Sequence, residues 1–536
     1  MKNLPTKLVI VLVLLIYVSV NQLTATNYYV SALLGKSSFN GLTATTPKLT
    51  IQSVVGFTHP GDTVLVMNGV YNTTSGPVLT LIPANSGTPD KFITYKPYSG
   101  HKPKITASGN VWNAIQINAS YIILDGLELE GNNANITYDA AYASYQDNIK
   151  GGTDWARYAN FNTNGISIGG PATESKLPLH VIIRNCKVHD FPGGGISSIQ
   201  ADYTTIENNL VYNNAWYMMY AGSGISILNP YDSDNVTTYR NIVRNNICHT
   251  NKTTVPWVSG QKLSDGNGII IDVNETAYAG GSTAGQLFYK GRTLVENNVS
   301  INNGGSGIHS YLADHVDIVN NTAYNNGTVV GYPDIFTNNC NDVNIMNNII
   351  YSRTGGKCNS APMHATEVYD YNIYFNGTVA KKGIHDLVVD PQFVKLNLNL
   401  TDGDFHLKST SPAINSGTNS IYLKNDIEGR IRPIGSVVDR GAYEFDPATS
   451  ISDLELPGNS FYVYPNPATN WISIVSKTGS DINKLELFSC SGKLVLSNEI
   501  TKQKENELDL SKFKSGIYIL KISCNEKCEL MKLIKL

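Results

Sequence analysis

The chain has few charged residues and almost no net charge. Only 15% of its 536 residues are charged, and the formal net charge is -3. This balance provides no general attraction to nucleic acid or to an anionic membrane, so we expect neither as a partner. A polyanionic ligand would need a local binding site.

Cysteines and long apolar runs are also scarce. Seven cysteines are too few for a disulfide framework in a chain of this length. The one long apolar run covers residues 8–20, lies between lysines and the small residues 24–26, and is too short for an anchor. We therefore expect a signal peptide over residues 1–26, no membrane span after its removal, and an exported monomer.

The chain is rich in a repeated Ile-x-Asn-Asn unit. Successive first asparagines are 23, 37, 52, 23 and 27 residues apart, which is typical of a solenoid with insertions. Short β-branched runs between Asn and Gly turns predict strands, and stacked coils supply the core. The sequence therefore predicts an all-β, parallel β-helix solenoid. Its first asparagines should form one column along an edge: Asn185, Asn208, Asn245, Asn297, Asn320 and Asn347.

A second repeat, a glycine followed by an isoleucine strand, predicts which side chains face outward. Strand side chains alternate, so the second and fourth residues after each glycine should point to solvent. Stacked coils lie about 4.8 Å apart. Asp272, His309 and Tyr311 should therefore share one surface patch. The aligned glycines are Gly165, Gly195, Gly224, Gly268 and Gly307.

Other charged residues align in a column that we interpret as structural. Arg184, Glu207, Arg244 and Glu296 alternate in sign on successive coils. Cross-strand pairs of this kind stabilise a sheet by about 0.2–1 kcal/mol each. We expect a scaffold ladder rather than a catalytic site.

Long insertions at residues 131–163, 229–240, 250–264 and 274–290 should wall a groove on one side of the solenoid. They carry many aromatic residues, and aromatic faces stack well on sugar rings. We therefore predict that Trp155, Trp257, Tyr278 and the strand residue Tyr311 contact a substrate. The alternative is that the rings only anchor the loops.

The segment 262–275 is the densest polar cluster beside these loops. Its carboxylates Asp265, Asp272 and Glu275 are suited to a Ca²⁺ site or to acid–base chemistry. The Asp265-Gly266-Asn267-Gly268 sequence could equally form a tight turn.

Two resemblances extend this interpretation. Residues 27–445 resemble secreted right-handed β-helix proteins, and residues 262–315 resemble the β-helical polysaccharide lyases, especially the pectate lyases. The second resemblance implies that Asp265 and Asp272 hold Ca²⁺, which neutralises a uronate carboxylate. It also implies that Lys262 or Arg292 removes the C5 proton before β-elimination. The chain departs from these lyases at 302–307, Asn-Asn-Gly-Gly-Ser-Gly, because this turn carries no carboxylate.

The C-terminal segment resembles the sorting domain of the type IX secretion system. The motifs are Tyr464-Pro465-Asn466-Pro467, Gly492-Lys493 and Gly516-Ile517-Tyr518. The resemblance implies a β-sandwich over 458–536, preceded by a linker over 447–457 and the β-helix over 27–446. It also implies a Bacteroidota-like source, the type IX machinery as partner, and a secreted or cell-surface protein.

Three functions remain open at this point. The first is a Ca²⁺-dependent polyuronate lyase acting on an extracellular polysaccharide. The second is a glycoside hydrolase in which two of Asp265, Asp272 and Glu275 form the carboxylate pair and His309 tunes one of them. The third is a non-catalytic glycan-binding or adhesin solenoid. Fold alone does not decide between them.

Overall fold

A computed structural model describes residues 25–170, 177–274, 289–398, 403–421, 424–447, 461–466, 468–477, 479–489, 492–524 and 527–535. The chain divides into two compact units, Met1–Asp446 and Pro447–Leu536. Most of the predicted signal peptide lies outside the described residues. None of the described helices is both long enough and apolar enough to span a membrane.

The first unit is a β-helix of three parallel sheets, which we name sheets A, B and C. The chain passes repeatedly from sheet A to sheet B to sheet C. Sheet A contains eleven strands: Asn27–Val30, Thr63–Val66, Ile93–Pro97, Ile122–Asp125, Val181–Arg184, Thr205–Glu207, Tyr239–Arg244, Arg292–Glu296, Val316–Val319, Val343–Met346 and Glu367–Asp370. The predicted fold class is confirmed.

Sheet B also has eleven strands, and sheet C has eight. The strands of sheet B are Val70–Ser75, Lys104–Asn110, Glu128–Glu130, Lys187–His189, Leu210–Tyr212, Ile247–His249, Val299–Ile301, Thr322–Tyr324, Ile349–Tyr351, Ile373–Phe375 and Leu387–Val388. Those of sheet C are Leu79–Leu81, Asn113–Ile117, Asn164–Gly169, Ile196–Ile199, Ile225–Leu228, Ile269–Asp272, Ile308–Tyr311 and Ile335–Asn338.

Helices are confined to the connections. Two α-helices, α1 (Tyr138–Ile149) and α2 (Trp155–Asn162), lie in the insertion between the third strand of sheet B and the third strand of sheet C. Three short 3-10 helices cover Gln52–Phe57, Pro83–Asn85 and Asn133–Asn135. Residues Phe393–Lys395 and Asp404–Leu407 form a separate antiparallel pair.

The core is a continuous stack of Ile, Val and Leu side chains. In sheet C, for example, Ile166, Ile196, Ile225, Ile269 and Ile308 are fully buried and occupy one column in register. Each coil therefore buries its apolar side chains against its neighbours, as the predicted alternation requires.

The two asparagines of each repeat have different roles. The first residue of the pair, such as Asn245 (φ 55°) or Asn347 (φ 58°), adopts the left-handed conformation at the turn from sheet A to sheet B. Asparagine tolerates this conformation better than most residues. The second asparagine is buried and forms a hydrogen-bonded ladder. The ladder contains Asn209, Asn246, Asn298, Asn321, Asn348 and Asn372.

The charge column on sheet A is structural, as predicted. Arg184 pairs with Asp125 at 2.9 Å, and Arg244 pairs with Glu207 at 2.7 Å. Glu296 differs from the expectation because it is buried, with its carboxylate 3.8 Å from Arg244. Burial raises the pKa of Glu296.

A returning segment packs along the first-asparagine column. Asn297 Nδ2 donates to the Asn425 carbonyl at 2.7 Å, Asn320 Nδ2 to the Asp439 carbonyl at 2.7 Å, and Asn347 Nδ2 to the Thr418 carbonyl at 2.9 Å. The asparagine column thus fixes the segment that ends the β-helix unit.

The second unit has two antiparallel sheets around its own apolar core. Three strands form one sheet: Phe461–Tyr464, Trp471–Ser476 and Glu505–Asp509. Four strands form the other: Ile482–Ser489, Leu494–Gln503, Gly516–Cys524 and Lys527–Lys535. This arrangement is the predicted small β-sandwich.

Candidate functional site

The outer face of sheet C is flanked by insertions at both of its edges. Connections from sheet B enter at one edge and include 131–163, 213–224 and 250–268. Connections to sheet A leave at the other edge and include 229–238; most of the insertion that follows Asn274 lies outside the described residues. The prediction that the insertions share one side is therefore wrong. They divide between the two edges and leave the sheet C face between them.

Two outward columns line this face. The first contains Thr80, Gln116, Ser167, Ser197, Ser226, Ile270, His309 and Phe336. The second contains Gly169, Ile199, Leu228, Asp272, Tyr311 and Asn338. Asp272 is directly opposite Tyr311, as the sequence alignment predicted.

Asp272 is a half-buried carboxyl at the end of its strand. Its side chain has no hydrogen-bond or ion-pair partner among the described residues. Burial, and after it the negative charge of Asp265, raises the pKa of Asp272 from 3.8 to about 8. Asp272 is therefore largely protonated at neutral pH.

Asp265 lies in the turn before the same strand and is placed by a dense set of contacts. Ser264 Oγ donates to Asp265 Oδ2 at 2.7 Å, and Asn267 Nδ2 donates to Asp265 Oδ1 at 3.3 Å. Asn267 in turn accepts from both the main chain and the hydroxyl of Ser306 at 2.8 Å, which ties the turn to the next coil. Burial raises the pKa of Asp265, while the two donors favour its charged form.

The tight turn and the functional interpretation of residues 265–268 are thus compatible. Asp265 has φ 61°, and Gly266 has φ 69°. A Cβ at Gly266 would approach Lys252 Cα to 2.6 Å, so only glycine fits there. The turn places the carboxylate of Asp265 close enough to raise the pKa of Asp272.

His309 is enclosed rather than exposed. It is 6% exposed, and its ring stacks on Phe336 with centroids 3.9 Å apart. Tyr332 and Tyr311 lie beside it at 5.8 Å and 5.9 Å. Neither ring nitrogen has a hydrogen-bond partner in the described part of the chain, and burial lowers the pKa of His309 to about 3. His309 is therefore a neutral packing residue and makes no hydrogen bond to either carboxylate.

The two predicted bases differ in position. Lys262 is exposed at a turn where its carbonyl accepts from Trp257 N at 2.9 Å. Arg292 belongs to sheet A, where its guanidinium pairs with Asp317 and Asp342, each at 2.6 Å. These carboxylates raise the pKa of Arg292. The structure does not bring Arg292 to the sheet C face.

The aromatic residues of the insertions divide into two groups. Tyr145, Tyr158 and Phe161 are buried in a separate apolar cluster that fixes α1 and α2. Trp155, at the start of α2, is 55% exposed, and Trp257 is half-buried. The first group anchors the loops, whereas Trp155 and Trp257 remain partly accessible to solvent. Glu275 and Tyr278 lie outside the described residues.

The described carboxylates near Asp272 would supply only part of a Ca²⁺ coordination shell. Calcium takes about six to eight oxygen ligands, whereas Asp265 and Asp272 supply two carboxylates, of which Asp265 is already hydrogen-bonded. Within the described part of the chain, the group of carboxylate and histidine ligands close enough to hold a metal is Glu128, Glu130 and His189 on sheet B. Lys104 and Lys187 already pair with that group.

The sequence analysis did not predict the aromatic residues that enclose His309. The coil after Gly307 begins with Asp334 instead of glycine, so its strand does not match the glycine–isoleucine pattern. Phe336 and Tyr332 belong to that coil. The spacing of 27 residues from Gly307 to Asp334 matches a repeat step and was the available signal.

Comparisons with known proteins identify the C-terminal unit but not the activity. Similar solved structures include the pectate lyase Pel9A, with 16% identity, a TM-score of 0.45, and coverage of 79% of this chain and 97% of that chain. XylC in complex with xylose has 14% identity, a TM-score of 0.41, and coverage of 78% and 98%. The GH136 lacto-N-biosidase from Eubacterium ramulus has 15% identity, a TM-score of 0.35, and coverage of 66% and 57%.

No protein of curated function matches the chain in sequence. Residues 462–536 match the family model of the secretion system C-terminal sorting domain. The second unit is therefore a type IX sorting domain, which directs the protein to the cell surface or outside the cell.

Proposed function

We propose that the protein is an extracellular glycoside hydrolase that uses Asp272 and Asp265 as its carboxylate pair. The observation that carries the proposal is the contrast between the two side chains. Asp272 has no described partner and a raised pKa, whereas Asp265 accepts two hydrogen bonds. Two neighbouring carboxyls in unlike environments are suited to opposite roles as acid and base.

In this proposal Asp272 is the general acid. A carboxyl with a pKa of about 8 keeps its proton at neutral pH and can donate it to the glycosidic oxygen as the bond breaks. Asp272 points to the outer face of sheet C and is half-buried rather than enclosed, which supports its contact with a substrate.

Asp265 supplies the second carboxylate. The donors Ser264 and Asn267 stabilise its negative charge, so it can act on a water molecule or on the anomeric carbon. Ser264 Oγ is also 3.5 Å from Tyr332 Oη, so the hydroxyl of Tyr332 lies beside the pair. Tyr311 and Leu228 border Asp272 on the neighbouring coils.

A polyuronate lyase is the alternative, and it is less well supported. β-Elimination requires a base at the C5 proton and a cation near the uronate carboxylate. No lysine or arginine occurs in the eight strands of sheet C, and Arg292 is paired on sheet A. Binding of Ca²⁺ with Glu275 as a further ligand would favour the lyase. The effect of a chelator on activity tests this alternative.

The deciding experiment is a screen of the purified protein and three variants against polysaccharides. D272N and D265N should each lower the release of reducing ends by about 100-fold or more, because each removes an essential proton-transfer or nucleophilic group. D125N, which removes a carboxylate paired with Arg184 on sheet A, is the matched control and should retain activity.

The product type separates the alternatives. Hydrolysis yields reducing ends without an unsaturated sugar and continues in the presence of a chelator. A product that absorbs ultraviolet light, formed only without chelator, would establish the lyase instead. No turnover of any polymer by the wild-type protein would favour a glycan-binding solenoid.

A further inference from the structure

The residues that form the floor of the sheet C face are almost all uncharged. Among all residues of its eight strands, Asp272 is the only aspartate or glutamate, and lysine and arginine are absent. The histidine of these strands, His309, is buried and neutral. Among the strand residues of this face, a ligand therefore meets one acidic side chain and no positive one.

The amino-terminal half of the face presents amides in a fixed network. Asn164 Nδ2 donates to Asn113 Oδ1 at 2.9 Å, and Asn113 Nδ2 donates to Gln116 Oε1 at 2.8 Å. Gln116 Nε2 then donates to Asn118 Oδ1 at 2.8 Å and to the Gly169 carbonyl at 2.7 Å. Amides ordered in this way offer neutral donors and acceptors in defined directions.

Hydroxyl groups continue the polar row toward the carboxylate pair. Ser197 and Ser226 follow Gln116 and Ser167 in the same outward column, and Ile270 comes next. Within the described residues, the hydroxyls of Ser197 and Ser226 have no hydrogen-bond partner. Ser197 is only 8% exposed, so the half-buried Ser226 is the hydroxyl of this pair that a ligand can reach.

The cations of the flanking insertions do not compensate for this lack of positive charge. Arg157 donates to the Ala143 carbonyl, Lys252 lies over the Trp216 ring at 4.0 Å, and Lys290 donates to Asn235. Lys262 is exposed on its turn. Two of the carboxylates in these insertions, Asp232 and Asp234, are paired with Arg240, so the described parts of the insertions carry no clear excess of either charge.

We infer that the glycan bound across sheet C is uncharged, an inference that rests on the proposed function of the same face. A polyuronate carries about one negative charge per sugar ring. It would meet the carboxyls of Asp265 and Asp272, with no lysine or arginine in the sheet C strands to offset its own charge. A neutral glycan instead matches the amides and hydroxyls, whose hydrogen bonds need no counter-charge.

The test is a binding experiment with D272N in the full chain, so that cleavage does not consume the ligand. Affinity electrophoresis would compare gels that contain neutral polymers, namely xylan, mannan, arabinan and galactan, with gels that contain polygalacturonate or alginate. Polygalacturonate with its carboxyls reduced to alcohols is the matched neutral partner of the charged polymer. We expect retardation by at least one neutral polymer and none by either polyuronate.

Substitutions on the floor locate the binding. S226A should weaken binding of the retained neutral polymer about 2- to 10-fold, the effect of one lost hydrogen bond. S226R should weaken it further and add affinity for polygalacturonate, because it places a guanidinium on the face. V368R, at an exposed outward position of sheet A, is the control and should change neither.

Retardation by a polyuronate that exceeds retardation by every neutral polymer would overturn the inference, and so would a lack of retardation by all polymers. Equal effects of S226R and V368R would also overturn it, since the binding would then lie elsewhere. Neutral binding without any turnover by the wild-type protein would leave this inference standing and defeat the proposed hydrolase. The two failures are therefore distinguishable.

Discussion

Replacing Asp272 with asparagine should stabilise the β-helix, and the gain should increase with pH. Asparagine has nearly the shape of the protonated carboxyl but cannot ionise. The pKa of Asp272 is about 8 in the folded chain and 3.8 for an ordinary aspartate. Between these two values the folded protein binds more protons than the unfolded chain, so the wild-type stability falls as pH rises.

The magnitude follows from the width of this window. One pKa unit corresponds to about 1.36 kcal/mol, so Asp272 alone removes at most about 4 kcal/mol of stability between pH 5 and pH 8. The carboxyl is half-buried, and solvent screening should reduce this to about 1–3 kcal/mol. D272N has no ionisable group at this position, so it does not undergo this loss of stability. Its advantage over the wild-type protein should therefore be larger at pH 8 than at pH 5 by that amount.

The assay is urea unfolding of the full-length protein at pH 5 and pH 8, followed by tryptophan fluorescence. D125N is the matched control, because it removes a carboxylate that is ion-paired with Arg184 and should shift the midpoint equally at both pH values. If D272N gives the same change at both pH values, Asp272 is an ordinary solvated carboxylate. The acid role proposed for it would then have no basis.

Further predictions concern the packing residue, the ladder and the sorting domain. The folded pKa of His309 is about 3, below its ordinary value of 6.5, so the wild-type protein loses stability as pH falls through this range. H309F should lose less stability than the wild-type protein between pH 7 and pH 4 in thermal melts and keep its turnover; a catalytic His309 would instead show lost turnover at normal stability. N298A should cost about 2–4 kcal/mol in urea unfolding, because it leaves buried ladder donors and acceptors unpaired. N208A, at an exposed turn position with φ 56°, should cost about 1 kcal/mol, because alanine tolerates the left-handed conformation less well than asparagine; a cost equal to that of N298A would refute the role of the ladder. Deleting residues 447–536 should leave glycan turnover intact and stop delivery to the cell surface, measured by activity in cell fractions; lost activity in a folded truncated protein would contradict the independence of the two units.

The periodic features of the fold could be predicted because each coil repeats one local rule. Alternation along Ile269–Asp272 and Ile308–Tyr311 placed Asp272 beside Tyr311, and the structure confirms that register. The left-handed turn at Asn245 and its equivalents likewise follows from a repeated residue type in a repeated position. Such features depend on sequence neighbours and on the adjacent coil alone.

The remaining features depend on contacts that break the repeat. His309 is covered by Tyr332 and Phe336 from a coil that begins with Asp334, so its burial does not follow from its own strand. Arg292 is near the candidate segment in sequence but belongs to another sheet, where Asp317 and Asp342 neutralise it. The edge at which each insertion emerges depends on the order of the three sheets. The sequence repeat alone does not specify that order.

The most direct test of the proposed hydrolase is the rate of reducing-end release by the wild-type protein, D272N and D125N on the neutral glycan that the protein binds best. We predict wild-type turnover without an ultraviolet-absorbing product, a loss of about 100-fold or more in D272N, and near-normal turnover in D125N. Equal turnover by D272N and D125N would contradict the account, because it would place the chemistry away from the sheet C face.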